Sequence, residues 1–333
     1  MRVIIFFVLL NINFSAFSGT LNNLLNSQSP IPNTPIPMHL LTPTPLDTSV
    51  TGKQGSTKIS VKPNASTLVN IETGDKVTDG RQNFPIIAFD WVQNDSGEII
   101  PTVRHLVISD NPYWDYILGV GNVWPDNSSV ESNRVSMPFT LVEKNENCTH
   151  NGVLIFDNQA AEAQAYFQIS SETCAYFKAD FWGRGNVTNS PLQNANSQAL
   201  VTAYAKEKSK RIKTKPIATI AEHAETIQAE KLSLPKGIKP NDMTVYGLLL
   251  GDEHYVSECQ TRAGSYPFCE QLVLPSYSTA KSLFAAVTMF YLEQQYGDVF
   301  SQKINSWVEQ CNGDKWDEVT FANFQSMLLM KPL

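Results

Sequence analysis

No apolar run in this chain reaches the length of a membrane span, and the stretch at residues 3–10 is too short to cross a bilayer. Positive charge is not in surplus. The 25 Lys and Arg stand against 32 Asp and Glu, for a net charge of −7, which argues against a nucleic-acid-binding protein. There is no P-loop and no dinucleotide fingerprint, so no glycine loop is built to cradle phosphates. Neither H-E-x-x-H nor the paired-cysteine spacing of a zinc site occurs. His105 and His150 stand isolated, and Asp252, Glu253 and His254 read as a polar hairpin turn. No metal or organic cofactor is expected.

The start of the chain carries an address. Arg2 precedes the apolar run, and Ala16, Phe17, Ser18 and Gly19 follow it. A positive residue, a short apolar core and small residues at the −3 and −1 places read as a secretory signal cleaved after Ser18. The mature protein is then secreted or periplasmic, with no transmembrane anchor. Export fits the five cysteines, because disulfides persist outside the cytosol. Cys259 and Cys269 can close a short loop, Cys148 can pair with Cys174 across neighbouring strands, and Cys311 is left over.

Residues 19–63 are rich in Ser, Thr, Asn and Pro, without aromatic residues or a helical period, and read as an extended linker. Residues 64–193 read as a β-rich accessory domain. Its strands are 84–89, 99–108, 152–156, the alternating Ala163, Ala165, Phe167 and Ile169, and 175–182, in a sandwich or barrel-like module. Trp91, Trp114, Trp124 and Trp182 are candidates for a sugar-binding face, with a core role as the alternative. Residues 194–230 look helical. Their basic run from Lys206 to Lys215, behind a signal peptide, reads as a solvated connector. Pro235 and Gly237 then break the chain before the strand-like 244–250.

The chemistry-bearing pattern lies further on. Ser278 and Lys281 stand three residues apart, and Leu283, Phe284, Val287, Phe290 and Tyr291 follow at helical spacing, with Gly297 as a stop. This predicts a largely buried helix opening at Ser278, with Lys281 one turn later on the same face. Such a pair suits acyl transfer. A serine hydroxyl needs a base to take its proton, a lysine of lowered pKa can supply one, and free N–H groups at a helix start favour an oxyanion. The alternative is a capping serine with a solvated lysine. The spacing alone decides nothing, since Ser233 and Lys236 share it where Pro235 and Gly237 deny a helix.

Ser278, Thr279, Ala280, Lys281 and Ser282, after a strand and before a long apolar helix, resemble the Ser-x-x-Lys motif of the beta-lactamase-related serine hydrolases. That group includes class C beta-lactamases, penicillin-binding D,D-peptidases, esterases and 6-aminohexanoate-oligomer hydrolases. Trp316, Val319, Thr320, Asn323 and Met327 resemble the helix that follows in that family. The resemblance covers roughly the last hundred residues. It implies Ser278 as the acylated nucleophile and Lys281 as its proton acceptor, with a small amide or ester, cell-wall peptide among the candidates, as substrate.

The fold class expected is therefore α+β and multidomain: the β-rich accessory domain, then a partial α/β beta-lactamase-like domain within 194–333. The family's T-S-G or A-T-G turn is replaced after Met327 by Leu328, Leu329, Met330, Lys331, Pro332 and Leu333. Its later Tyr-x-Asn or Ser-x-Asn loop and Lys-Thr-Gly or His-x-Gly strand do not follow. Ser109, Asp110 and Asn111, and His150, Asn151 and Gly152, mimic these motifs but precede the serine and read as chance. The expectation is a truncated hydrolase with little or no turnover. A separately encoded C-terminal half is one alternative, and a non-enzymatic glycan- or protein-binding module built on the β-rich domain is another.

Overall fold

The computed structural model of the chain describes residues 21–42, 53–125, 133–144, 146, 148–174, 176–192, 196–222 and 244–323. The expected signal at 1–18, the pair Ser233 and Lys236, and Met327 with the residues after it lie outside these. The chain divides into two compact units, Met1–Val273 and Leu274–Leu333.

The first unit is built on ten strands. They are β1 (Gln54–Ser60), β2 (Ser66–Asn70), β3 (Ile87–Gln93), β4 (Glu98–Pro101), β5 (Trp114–Leu118), β6 (Gly121–Pro125), β7 (Asn133–Glu143), β8 (Thr149–Asp157), β9 (Glu162–Ile169) and β10 (Ala179–Pro191). Antiparallel pairing runs β1-β3-β4-β6-β7-β8-β9-β10, and β10 returns to β1, with Gly55 opposite Pro191 and Ser60 opposite Asn186. This closes an eight-stranded barrel, which leaves those strands without a free edge. The two longest strands each serve two partners. The first half of β10 pairs β2 and its second half β1, while β7 pairs β6 and then β5.

Period-two alternation sorts the side chains to the two barrel faces. Leu154 and Phe156 of β8, Phe167 of β9 and Phe181 of β10 point into one core with Phe84 and Phe139. Their rings meet at centroid separations of 4.0 Å (Phe84 and Phe167) and 5.1 Å (Phe167 and Phe181), so side chains fill the interior. The alternate residues Val153, Ile155, Tyr166 and Trp182 form a second core outside. That outer face explains why every residue of β8 is buried.

The cover over this outer face corrects the expectation for residues 19–63. Leu21, Leu24, Met38 and Leu41 pack onto Val153, Ile155, Tyr166 and Trp182, and β1 lies in the barrel wall. Buried polar groups fix the segment. Gln168 donates from Nε2 to the Ile36 carbonyl (2.7 Å) and accepts the Ile36 N–H at Oε1 (2.8 Å). Such a two-sided clamp leaves neither buried backbone group unsatisfied.

Within the expected connector, α1 (Ser197–Ser209) lays Leu200, Val201 and Tyr204 on Val92, Ile100 and Val120 of the barrel wall. Two of its three charges are paired: Lys208 with Glu98 at 2.7 Å, and Glu207 with Arg104 and Arg211. The Arg104 guanidinium bonded to Glu207 pulls its carboxyl down to about 2. Because the folded pKa is depressed, this stabilisation is complete above the ordinary carboxylate range and is lost as pH falls through about 2. The Glu207 side chain is 44% exposed, so the term is held to about 1 kcal/mol or less. Unfolding free energies measured between pH 5 and 2 should fall less steeply in Glu207→Gln. Identical slopes in the two proteins would remove this pair from the account.

The expected partial α/β domain is also corrected. Residues 244–250 supply β12 (Gly247–Leu250), but β12 pairs with β13 (Glu253–Val256), which lies parallel to β11 (Thr214–Pro216), all within the barrel unit. Among the described residues of Leu274–Leu333 the only strand-like contact is the bridge between Lys303 and Thr320. No sheet there packs on the Ser278 helix. The fold is mostly a closed antiparallel barrel with few helices. β12 is taken by the adjacent β13 across a two-residue turn, and closing a short loop costs less chain entropy than closing a long one.

Candidate active site

Ser278 sits at the mouth of an 18-residue helical segment, 279–296, formed by a first turn, a π-helical stretch Lys281–Ala286 and the α-helix α2 (Val287–Tyr296). Its entry is sharply bent. Tyr277 adopts φ 43°, one of two non-glycine residues with positive φ among the described residues. The turn is closed by Thr279 N–H donating to the Ser276 carbonyl (3.0 Å), Ala280 N–H to Tyr277 (3.2 Å) and Lys281 N–H to Ser278 (3.0 Å). Gly297, at φ 63°, ends the helix as its position predicts, and its N–H bonds the Glu293 carbonyl at 2.8 Å.

Ser278 and Lys281 are both exposed, and what joins them is the backbone bond between Lys281 N–H and the Ser278 carbonyl. No side-chain hydrogen bond links them among the described residues. The helix itself is not the buried element that its period suggests. Only Ala286 is buried, and Phe284 is 70% exposed. A 3.6-residue period marks a face that can be covered, and here nothing among the described residues covers it.

The second half of the resemblance has a local structural meaning. The Thr320 hydroxyl accepts the Asn323 N–H at 3.2 Å, while Asn323 Oδ1 accepts the Thr320 N–H at 3.1 Å. This reciprocal pair is a capping box, the physical content of Thr-x-x-Asn at a helix start. Trp316 lies half-exposed upstream of it.

The other candidates resolve into structural roles. Trp91, Trp114 and Trp182 are buried, and Trp124 packs against the outer core, so the four form no exposed aromatic face. Trp91, Trp114 and Trp182 also spend their N–H groups inward, on Thr57 (2.9 Å), the Arg81 carbonyl (2.7 Å) and the Pro32 carbonyl (2.8 Å). Ser109 and Asn111 tie a turn, with Asn111 Oδ1 accepting the N–H groups of Tyr113 and Trp114. Asn151 clamps both backbone groups of Val273 at 3.0 Å. Gly152 has no room for a Cβ, which would meet the Gln168 carbonyl at 2.6 Å. Asp252 lies in the β12–β13 hairpin turn, flanked by Gly251 at φ 60°. His105 is exposed.

The expected disulfides Cys148–Cys174 and Cys259–Cys269 both form, and Cys311 is free. Among the described residues no helix is long and apolar enough to cross a membrane. The two disulfides fit an oxidising compartment. One group was missed. His150, isolated in sequence, lies with Glu143, Cys148 and Cys174, and the four donor atoms are all within 4.8 Å of one another. A Cys-x-His pair, Cys148 and His150, was its only local trace. No family model matches the chain, and no curated protein matches it.

Proposed function

We propose that this chain carries the nucleophilic serine of an exported, secreted or periplasmic serine hydrolase that acts on an amide or ester through a serine acyl-enzyme. The observation that carries the reading is the left-handed Tyr277 immediately before Ser278, followed by a π-helical stretch beginning at Lys281. Strained residues and π-helical turns concentrate at functional sites. A serine presented by such a turn stands exposed at the positive end of the helix dipole. The resemblance of residues 278–282 and 316–323 to the beta-lactamase-related hydrolases supports the same reaction class.

In this reading Ser278 Oγ attacks the substrate carbonyl carbon and Lys281 Nζ takes the hydroxyl proton. The proton passes to the leaving amine or alkoxide, and water later cleaves the acyl ester. Turnover of nitrocefin or a p-nitrophenyl ester is expected to be little or none. The decisive readout is therefore stoichiometric acylation, followed by mass spectrometry of the peptide holding Ser278. Acyl transfer should disappear in Ser278→Ala and slow about a hundredfold or more in Lys281→Ala, the usual worth of a positioned base. Undiminished acylation of Ser278→Ala would sink the proposal.

A further inference from the structure

Glu143 ends β7, Cys148 immediately precedes β8 and His150 lies at its start across the hairpin, and Cys174 comes from the connection between β9 and β10. All four are buried; His150 is 2% exposed. The Glu143 carboxylate and the His150 ring face each other without bonding. Oε2 and Nε2 are 3.7 Å apart, beyond hydrogen-bond reach, and neither atom has a hydrogen-bond partner. Two polar atoms left this way in a protein interior call for an explanation. Beside them lie the two sulfurs of the Cys148–Cys174 disulfide.

We propose that Glu143, Cys148, His150 and Cys174 form a binding site for a thiophilic divalent cation of the zinc class, open in the dithiol form of the protein and closed by the disulfide. Two thiolates, one imidazole and one carboxylate are the donor types of tetrahedral zinc. Bond lengths of about 2.0–2.3 Å place the donors of such a site roughly 3.3–3.8 Å apart. An oxygen and a nitrogen ligand belong at the short end of that range, about 3.3–3.5 Å apart, so Glu143 Oε2 and His150 Nε2, at 3.7 Å, need to close by only a few tenths of an ångström. The sulfurs reach it only once their bond is broken.

The surroundings supply an outer shell. Arg81 lies 3.6 Å from the other carboxylate oxygen, Oε1, and stacks on the Phe177 ring at 3.8 Å, so it holds the Glu143 carboxylate in orientation. Trp114 stands edge-on to the His150 ring at 5.1 Å and Phe177 lies at 5.9 Å, which fixes the imidazole in an apolar wall. Two thiolates, one carboxylate and a divalent cation sum to one negative charge, opposite to that of Arg81.

Opening consumes one equivalent of a dithiol reductant. Its two electrons and two protons convert the disulfide into two thiols, and the reductant becomes a disulfide. The cation then displaces the two thiol protons to solvent and takes the lone pair of neutral His150, without changing its own oxidation state.

The test uses the full chain, oxidised or reduced with a phosphine that is then removed, and Zn²⁺ or Co²⁺ as the probe. The reduced protein should bind one equivalent of Co²⁺ with thiolate charge-transfer absorption, and the oxidised protein none. Zn²⁺ should protect Cys148 and Cys174 of the reduced wild type from alkylation while Cys311 is modified. His150→Ala should weaken Zn²⁺ binding at least tenfold. The wild-type protection assay stands even where that variant fails to fold. Equal binding by the oxidised protein, protection of Cys259 and Cys269 instead, or a reduced protein whose unfolding Zn²⁺ does not reverse would each overturn the site.

Discussion

Replacing Phe167 by alanine should cost the barrel about 4 kcal/mol, within the range found for large aromatic deletions in packed cores. The ring is 1% exposed and is enclosed by Phe84 at 4.0 Å, Phe181 at 5.1 Å and Phe139 at 6.4 Å. Collapse around the deletion is restricted, because β9 is paired on both sides, to β8 and to β10. The lost volume therefore stays as a cavity, and the cavity adds to the lost transfer energy. Phe284→Ala is the control. Its ring is 70% exposed, so the expected change is within about 0.5 kcal/mol. Denaturant unfolding of both variants, followed through the barrel transition, reads the difference directly. A loss under about 1.5 kcal/mol at Phe167 would contradict a filled interior. A large loss at Phe284 would show that its helix is covered in solution.

The same contrast shows which parts of the fold are written locally. Ala163, Ala165, Phe167 and Ile169 alternate, and β9 follows that alternation. That the chain carries disulfides was legible from its cysteines and compartment, whereas their connectivity was left open and is fixed by the fold as Cys148 with Cys174 and Cys259 with Cys269. The spacing of Leu283, Phe284, Val287, Phe290 and Tyr291 does make a helix, yet period alone says nothing of whether a partner surface arrives. Closure was not legible either. It depends on Ser60 meeting Asn186 across more than a hundred residues, and no local pattern records such a pairing.

Residues 19–63 misled for a related reason. Their prolines and small polar residues give no period, but an extended chain needs none to bury a few well-placed side chains. Met38 and Leu41 are fully buried because β8 and β9 present an apolar outer face, which is a property of the barrel and not of the segment. The buried cluster was hidden similarly. Cys148 is two residues from His150, but Glu143 and Cys174 reach the ring only through the β7–β8 hairpin and the loop after β9, so sequence distance concealed two of its three neighbours. At Ser278 the spacing and the helix stop were legible, whereas the left-handed Tyr277 was not, since tyrosine is not a residue that advertises positive φ.

Arg184→Met should free the N-terminal cover from the barrel. Arg184 lies on β10, is 7% exposed, and its guanidinium faces the turn formed by residues 21–25. Nε donates to the Leu24 carbonyl at 2.7 Å, one terminal nitrogen to Ser29 at 2.7 Å, and the other to Asn23 at 3.1 Å. The carbonyls of Asn23 and Leu24 lie at the end of a helical turn, where a cation is a favoured partner, and the Asn23 carbonyl also accepts the Asn26 N–H at 3.3 Å. Burial pulls the guanidinium below its ordinary pKa, but arginine stays charged in proteins. Methionine keeps much of the aliphatic volume and offers no donor, so three carbonyls lose the guanidinium while packing is nearly preserved. Charge-assisted hydrogen bonds contribute about 1.5–3 kcal/mol each and do not add fully, so a total near 3 kcal/mol is expected. That corresponds to a rise of roughly a hundredfold in the opening of residues 21–42. Hydrogen exchange should report it at Ile36, whose N–H is held by Gln168, and at the amides of β8 beneath the cover. Arg184→Lys should recover only part of the loss, since a single ammonium does not span three divergent carbonyls. Unchanged exchange at Ile36 in the methionine variant would mean that apolar contact alone holds the segment down.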